Sequence, residues 1–252
     1  MSSVRRAAGL ARSLLVYHAI PGRQRRLRRL YRRFVAPGDL VFDLGAHVGN
    51  RTRAFRALDC RVVALEPQPD CARVLRAIFR GARNVTVVES AVGKTAGRVQ
   101  LTINERHPTL STAADAWLEE RRRDPRFANI RWNRAVTVAS TTLDDLIDRF
   151  GQPAFVKIDV EGGEPAVLAG LGTPLAGLSF EYLPGALSSV RACVERLAAL
   201  GRYVYNWSPG ESFELAGPAW LTGEQLESAL STAGTGRSGD VYARLETEPE
   251  RR

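Results

Sequence analysis

The 252-residue chain is poor in cysteine, lysine and methionine, and it has no long apolar run. Its three cysteines, Cys60, Cys71 and Cys193, are odd in number and scattered. That pattern excludes a cysteine-based zinc knuckle and a disulfide framework. It leads us to expect reduced, buried thiols in a cytoplasmic protein. Near the start, the longest uncharged stretch is Ser13 to Ile20, far short of the ~20 apolar residues that a bilayer span needs. Arginines flank it and no cleavage site follows, so no signal peptide is expected. Acidic residues are absent from residues 1–36, which hold ten arginines. The rest of the chain carries 26 basic residues against 27 acidic ones, so the net charge of +9 belongs to that N-terminal segment. A basic groove for nucleic acid running over the whole body is therefore not supported. Only Lys94 and Lys157 are lysines, so arginine dominates throughout.

What is present is organised around Val41-Phe42-Asp43-Leu44-Gly45-Ala46-His47-Val48-Gly49-Asn50. Residues 40–44 are an apolar run broken only by Asp43, the length of a buried strand. Gly45 and Gly49 bracket a turn where the backbone must come close to something. Residues 51–58 read as a helix with Phe55 and Leu58 on one face and Asn50 as its N-cap. Strand, glycine turn and helix N-terminus together make a nucleotide-binding corner. The Gly-x-x-x-Gly spacing differs from the dinucleotide Gly-x-Gly-x-x-Gly pattern, which argues against a nicotinamide dehydrogenase. A second strand, 61–65, ends at Glu66, 21 positions after Gly45. An acid there is placed to accept both hydroxyls of a ribose.

The remaining pattern is that of one large α/β domain. Residues 1–36 read as a basic extension of two helices separated by Pro21-Gly22. In the second, Leu27, Leu30, Tyr31 and Phe34 share a face opposite the arginines. Two readings stand: a helix packed on the domain, or a surface for peripheral contact with an anionic membrane. The domain proper runs over 37–245. It contains a helix at about 70–79 and strands at 84–88, 97–103, 136–138, 154–159, 177–182, 203–207 and 240–245. Helices are expected from 142, over 187–200 and over 222–230. Residues 104–133 break the rhythm and read as a lid or acceptor element, or as a surface loop. Residues 246–252 read as a loose tail.

VFDLGAHVG, VALEPQP, ESAVG, TTLDDL and FVKIDVEGGE occur in an order that resembles the FkbM family of S-adenosylmethionine-dependent methyltransferases, over roughly residues 38–185. The resemblance implies the class I methyltransferase fold: a Rossmann-like α/β domain whose seven-stranded sheet is mostly parallel with an antiparallel last strand and helices on both faces. It implies O-methylation of a hydroxyl on a sugar, glycan or natural-product small molecule. For S-adenosyl-L-methionine it implies that Asp43, Gly45, Ala46, His47, Gly49 and Asn50 hold the amino-acid end. Glu66 and Pro67 then sit at the ribose, and Glu89, Ser90 and Ala91 border the adenine.

A plain alcohol needs a base to take its proton. Asp159, at the end of the 154–159 strand, is the first choice for that base or for orienting the acceptor. Lys157 shares its face of the strand and needs a carboxylate partner, with Asp159 and Glu161 as candidates. That pair could equally shape the pocket without moving protons. Glu161 and Glu164 could serve only the next helix. His107 is a rival base from the insertion, and Glu181 another residue within reach of the acceptor. Asp159, Glu161 and Glu181 could alternatively hold a divalent metal, although no clear metal motif is present. The rival functions are a nucleic-acid methyltransferase using the arginine-rich N-terminus and a non-catalytic cofactor-binding scaffold. No Asn/Asp-Pro-Pro-Tyr/Phe segment and no Pro-Cys pair occur, which argues against amine and cytosine-carbon methylation. The intact glycine turn, Glu66 and Asp159 argue against the scaffold.

Overall fold

A computed structural model describes residues 9–10, 12–14, 20–104, 111–123, 130, 132, 134–183, 186–232 and 238–246. In chain order the helices are α1 (Arg23–Tyr31), α2 (Asn50–Arg56), α3 (Pro69–Ile78), α4 (Asp115–Arg123), α5 (Leu143–Phe150), α6 (Glu164–Ala169), α7 (Leu187–Leu200) and α8 (Gly223–Thr232). The strands are β1 (Leu40–Leu44), β2 (Arg61–Leu65), β3 (Val85–Val88), β4 (Ala91–Val92), β5 (Gly97–Ile103), β6 (Arg134–Thr141), β7 (Phe155–Ile158), β8 (Gly177–Tyr182), β9 (Tyr203–Pro209) and β10 (Gly239–Leu245).

Seven strands form one sheet in the order β3-β2-β1-β7-β8-β10-β9. The first five run parallel, and β10 inserts antiparallel between β8 and β9. This is the class I methyltransferase arrangement. The side-chain period of two divides β1 between two cores. Leu40, Phe42 and Leu44 face one cluster with Leu143, Leu168, Val190 and Leu226 from α5 to α8. Val41 faces the other, with Leu27, Leu30 and Tyr31 of α1 and Phe55 of α2. Both faces are therefore covered, as a parallel sheet requires. The chain winds outward from β1 to β3 and then returns to β7. The strand order thus reverses between β1 and β7, which is where open sheets of this kind bind ligands.

α1 belongs to this core: Leu27, Leu30 and Tyr31 are buried, and Phe34 stacks on Tyr242 with ring centroids 5.2 Å apart. Arg25, Arg26, Arg29, Arg32 and Arg33 are exposed. Among the described residues no helix is long and apolar enough to cross a membrane.

The span expected as a short strand at 136–138 is longer. β6 pairs antiparallel with β5 and parallel with β4 in a separate three-stranded sheet. Ile103 lies opposite Arg134, so the 104–133 insertion rises from the end of a ladder. Its described part docks on the exit of β7. Thr112 donates to the Glu161 carbonyl at 2.7 Å, and buried Trp117 fills the space where a Cβ on Gly162 would stand.

Candidate active site

The turn after β1 begins at Gly45, whose φ is 77°. A Cβ there would lie 1.8 Å from the Asp159 carbonyl oxygen, so only glycine lets the exits of β1 and β7 approach this closely. The N–H groups of Gly45 and Ala46 both donate to the Leu65 carbonyl, at 3.0 and 2.9 Å. The helix cap differs from the sequence expectation. Gly49, with φ of 82°, caps α2, and Asn50 is its first residue. A left-handed cap suits glycine, which has no Cβ penalty there.

A cleft of about 500 Å3 opens at this edge. Gly45, Ala46, His47 and Asn50, Glu66, Pro67 and Gln68, and Ser90 and Ala91 are among the residues that line it. Glu66 is buried, and its two carboxylate oxygens accept the N–H groups of His47 and Gln68, each at 2.8 Å. Burial pushes its carboxyl up to about 7 against the lowering effect of those two donors. Each oxygen keeps a second acceptor site, so the carboxylate can still receive a ribose hydroxyl pair. The small sheet supplies the outer wall through Val99 and Leu101 of β5 and Ser140 of β6.

Three expected cofactor residues stand elsewhere. Asp43 is fully buried behind the turn, accepts from Thr52 Oγ1 at 2.5 Å and does not line the cleft. Burial raises its carboxyl, opposed mainly by Lys157. Glu89 turns outward to Arg76, at 2.7 Å. Gly49 lies under the turn, where a Cβ would meet Phe79 and Leu75.

The cleft also collects the carboxylates of Asp159, Glu161 and Glu181, with ligating oxygens all within 4.8 Å of one another. Glu161 adopts a left-handed φ of 56° and Gly162 one of 90°, which turns the chain sharply at the cleft floor. Glu164 holds this turn, accepting the N–H groups of Val160 and Gly162 at 3.0 and 3.4 Å. Lys157 is buried beneath the floor and pairs with Asp159, whose side chain is 34% exposed. Burial would raise the Asp159 carboxyl, but Lys157 outweighs it and holds it below the usual range. Glu181 goes the other way: burial, then Glu161 and Asp159, push its carboxyl well up. Its Oε2 is sealed from solvent with no hydrogen-bond donor. His107 lies outside the described residues.

The sequence reading missed several wall residues. Gln68, Lys94, Arg51, Glu211 and Asp240 all line the cleft. Arg51 pairs with Asp240 at 3.4 Å, a contact across 189 positions that no local spacing signals.

The model for the methyltransferase FkbM domain matches residues 43–182, more than half of the chain. No curated protein matches the sequence. Among solved structures, an O-methyltransferase from Bacillus cereus in complex with SAH is 15% identical, over 94% of this chain and 90% of that one, with a TM-score of 0.45. A precorrin-6y C5,15-methyltransferase from Geobacter metallireducens is also 15% identical, over 88% and 87%, with a TM-score of 0.45. An rRNA methylase from Streptococcus thermophilus is 11% identical, over 87% and 94%, with a TM-score of 0.41. At these scores the likenesses carry no weight for the acceptor. The family match covers the glycine turn, Glu66 and five strands of the large sheet, β1 only in part: the chain belongs to the FkbM family of S-adenosylmethionine-dependent methyltransferases.

Proposed function

We propose that the chain methylates oxygen, at a hydroxyl of a sugar, a glycan or another natural-product small molecule. The observation that carries this reading is the make-up of the cleft lining, with Asp159, Glu161 and Glu181 clustered in it. The cleft is lined by the carboxylates of Glu66, Asp159, Glu161, Glu181, Glu211 and Asp240 against the cations Arg51, Lys94 and Arg98, and no Phe, Tyr or Trp lines it among the described residues. A polyanion would be repelled there. An extruded base would find no Phe, Tyr or Trp ring on which to stack. A neutral or cationic polyol suits carboxylate acceptors, because each hydroxyl can donate to one.

Bound in the cleft, S-adenosylmethionine supplies an electrophilic methyl group on sulfur, which leaves as a neutral thioether. The turn at 45–50 and Glu66 would hold its amino-acid and ribose ends. Glu181 takes the proton of the acceptor hydroxyl, because burial beside Glu161 and Asp159 raises its proton affinity while Lys157 lowers that of Asp159. Asp159, kept charged by Lys157, orients that hydroxyl. Positioning of the reacting oxygen then supplies much of the rate. The described part of the insertion, docked on Glu161 and Gly162 through Thr112 and Trp117, serves as a lid over Asp159, Glu161 and Glu181.

The test is transfer of labelled methyl to a panel comprising a neutral sugar, an amino sugar, a hydroxylated macrolactone and a ribosomal RNA fragment. Label is expected in a hydroxylated small molecule. Label in the RNA alone would overturn the reading. A second reading follows from the oxygens within 4.8 Å in the carboxylate cluster: a divalent cation there would ionise the hydroxyl. Full turnover after exhaustive chelation rejects it.

A further inference from the structure

We propose that Gln24 and Arg23 of α1 are positioning residues for the cofactor, clasping two walls of the cleft from outside the matched family domain. The proposal rests on the cofactor assignment above. Gln24 Nε2 donates to the backbone carbonyl of Asn50 at 3.0 Å and to its side-chain Oδ1 at 2.6 Å. The carbonyl accepts only, so it fixes which end of the Gln24 amide faces Asn50, and through it the rotamer of Asn50. Asn50 follows Gly49 at the start of α2 and lines the cleft.

The neighbouring residue reaches a different wall. Arg23 is buried and pairs with Glu211, on the loop after β9. Its guanidinium lies 5.7 Å from the Phe213 ring centroid, and that of Arg51 lies 5.0 Å from the same ring. Arg51 in turn pairs with Asp240 of β10. Glu211, Arg23, Phe213, Arg51 and Asp240 are therefore linked in series, and Glu211, Arg51 and Asp240 line the cleft. Of these five only Arg51 lies within the matched residues 43–182. The apolar face of α1 already explains why the helix docks. Burying an arginine and spending a glutamine amide on the glycine turn are not needed for that. Both contacts end on cleft residues, which is what a clasp requires. A turn held in its bound shape costs less to order when the ligand arrives.

The experiment is calorimetry with S-adenosylhomocysteine on the full chain, with thermal midpoints measured alongside. Gln24→Ala and Gln24→Glu remove the donor, and Gln24→Lys keeps one. We expect about tenfold weaker binding in the first two, equivalent to about 1.4 kcal/mol, with midpoints near that of the wild type and recovery in the lysine variant. Equal affinity in all four proteins would overturn the clasp. So would equal weakening in the alanine and lysine variants, which would mark a packing effect. Glu211→Gln, at a half-exposed site, keeps the shape of the second arm and removes its charge, and is expected to weaken binding several-fold, with its midpoint measured alongside; unchanged affinity there removes that arm. Failure of the wild type to bind would instead defeat the cofactor assignment, so the two failures are distinguishable.

Discussion

Lys157 and Asp159 form an ion pair along one face of β7, with the ammonium buried and the carboxylate opening into the cleft. The strand period places both on that face, and the register sets Lys157 beside Asp43 of β1. Removing one partner of a fully buried pair costs about 3–5 kcal/mol. Asp159 is partly solvated, so Lys157→Met is expected to cost somewhat less, about 2–4 kcal/mol. The double variant Lys157→Met/Asp159→Asn should recover part of that loss, as urea denaturation of the three proteins would read. Asp159→Asn alone should lower turnover about a hundredfold; unchanged turnover would remove Asp159 from the orienting role.

The proton affinities of Asp159 and Glu181 are pushed apart by their surroundings. A raised carboxyl is ionised only above its pKa, so Glu181 can accept a proton only as pH rises. Turnover should therefore climb with pH above the ordinary carboxylate range. In Glu181→Gln it should be about a hundred- to a thousandfold lower and without that climb. A pH profile in which wild type and variant keep the same shape would exclude Glu181 as the base.

Glu66 sets a pH dependence of its own, in cofactor binding. Its carboxyl is pushed up to about 7, and a protonated carboxyl loses acceptor capacity toward the ribose. The ionised fraction rises about tenfold between pH 6 and pH 8. S-adenosylhomocysteine should bind about tenfold more tightly at pH 8 than at pH 6. Glu66→Gln should abolish this dependence and weaken binding at pH 8 by about 10–100-fold.

The exposed face of α1 carries Arg25, Arg26 and Arg29, with Arg32 and Arg33 just beyond its end. Clustered arginines near an anionic leaflet gain about 1 kcal/mol each. We expect the full chain to co-sediment with phosphatidylserine vesicles at low salt, and the Arg25→Ser/Arg26→Ser/Arg29→Ser variant to lose most of that binding. Equal sedimentation of both proteins would leave these arginines as a solvated face.

What could be read in the sequence was local. The glycine turn, Glu66 and the Lys157–Asp159 pair each follow from short spacings and a strand period. Most strands could be read for the same reason, from short runs rich in apolar residues, whereas the make-up of the sheet followed only from the family resemblance. The missing parts depend on distant contacts. Gln24 meets Asn50 across 26 positions and Arg51 meets Asp240 across 189. Glu89 occupies the expected strand end, but Arg76, one helix away, draws it outward. The small sheet escaped notice because its two long strands are separated by the polar insertion. Asn50 was the natural N-cap by residue type, but the left-handed φ required there selects Gly49.

Glu164 tests how the cleft floor is held. It is buried and accepts two N–H groups from the turn at 160–162. Burial is the largest influence on its carboxyl and pushes it up to about 7, from an ordinary value of 4.5. The folded state thus binds this proton more tightly than the unfolded chain. Its contribution to stability is complete below about pH 4.5 and is lost progressively as pH rises through about 7. Glutamine keeps the acceptor oxygen for the two N–H groups and never ionises. Glu164→Gln should therefore be more stable than the wild type at pH 8, by an amount on the order of 3 kcal/mol at most. That advantage should shrink steadily toward pH 5. Urea denaturation at pH 5, 6, 7 and 8 measures it. A difference independent of pH would mean that Glu164 titrates as it does in the unfolded chain, and the two backbone donors would then offset its burial.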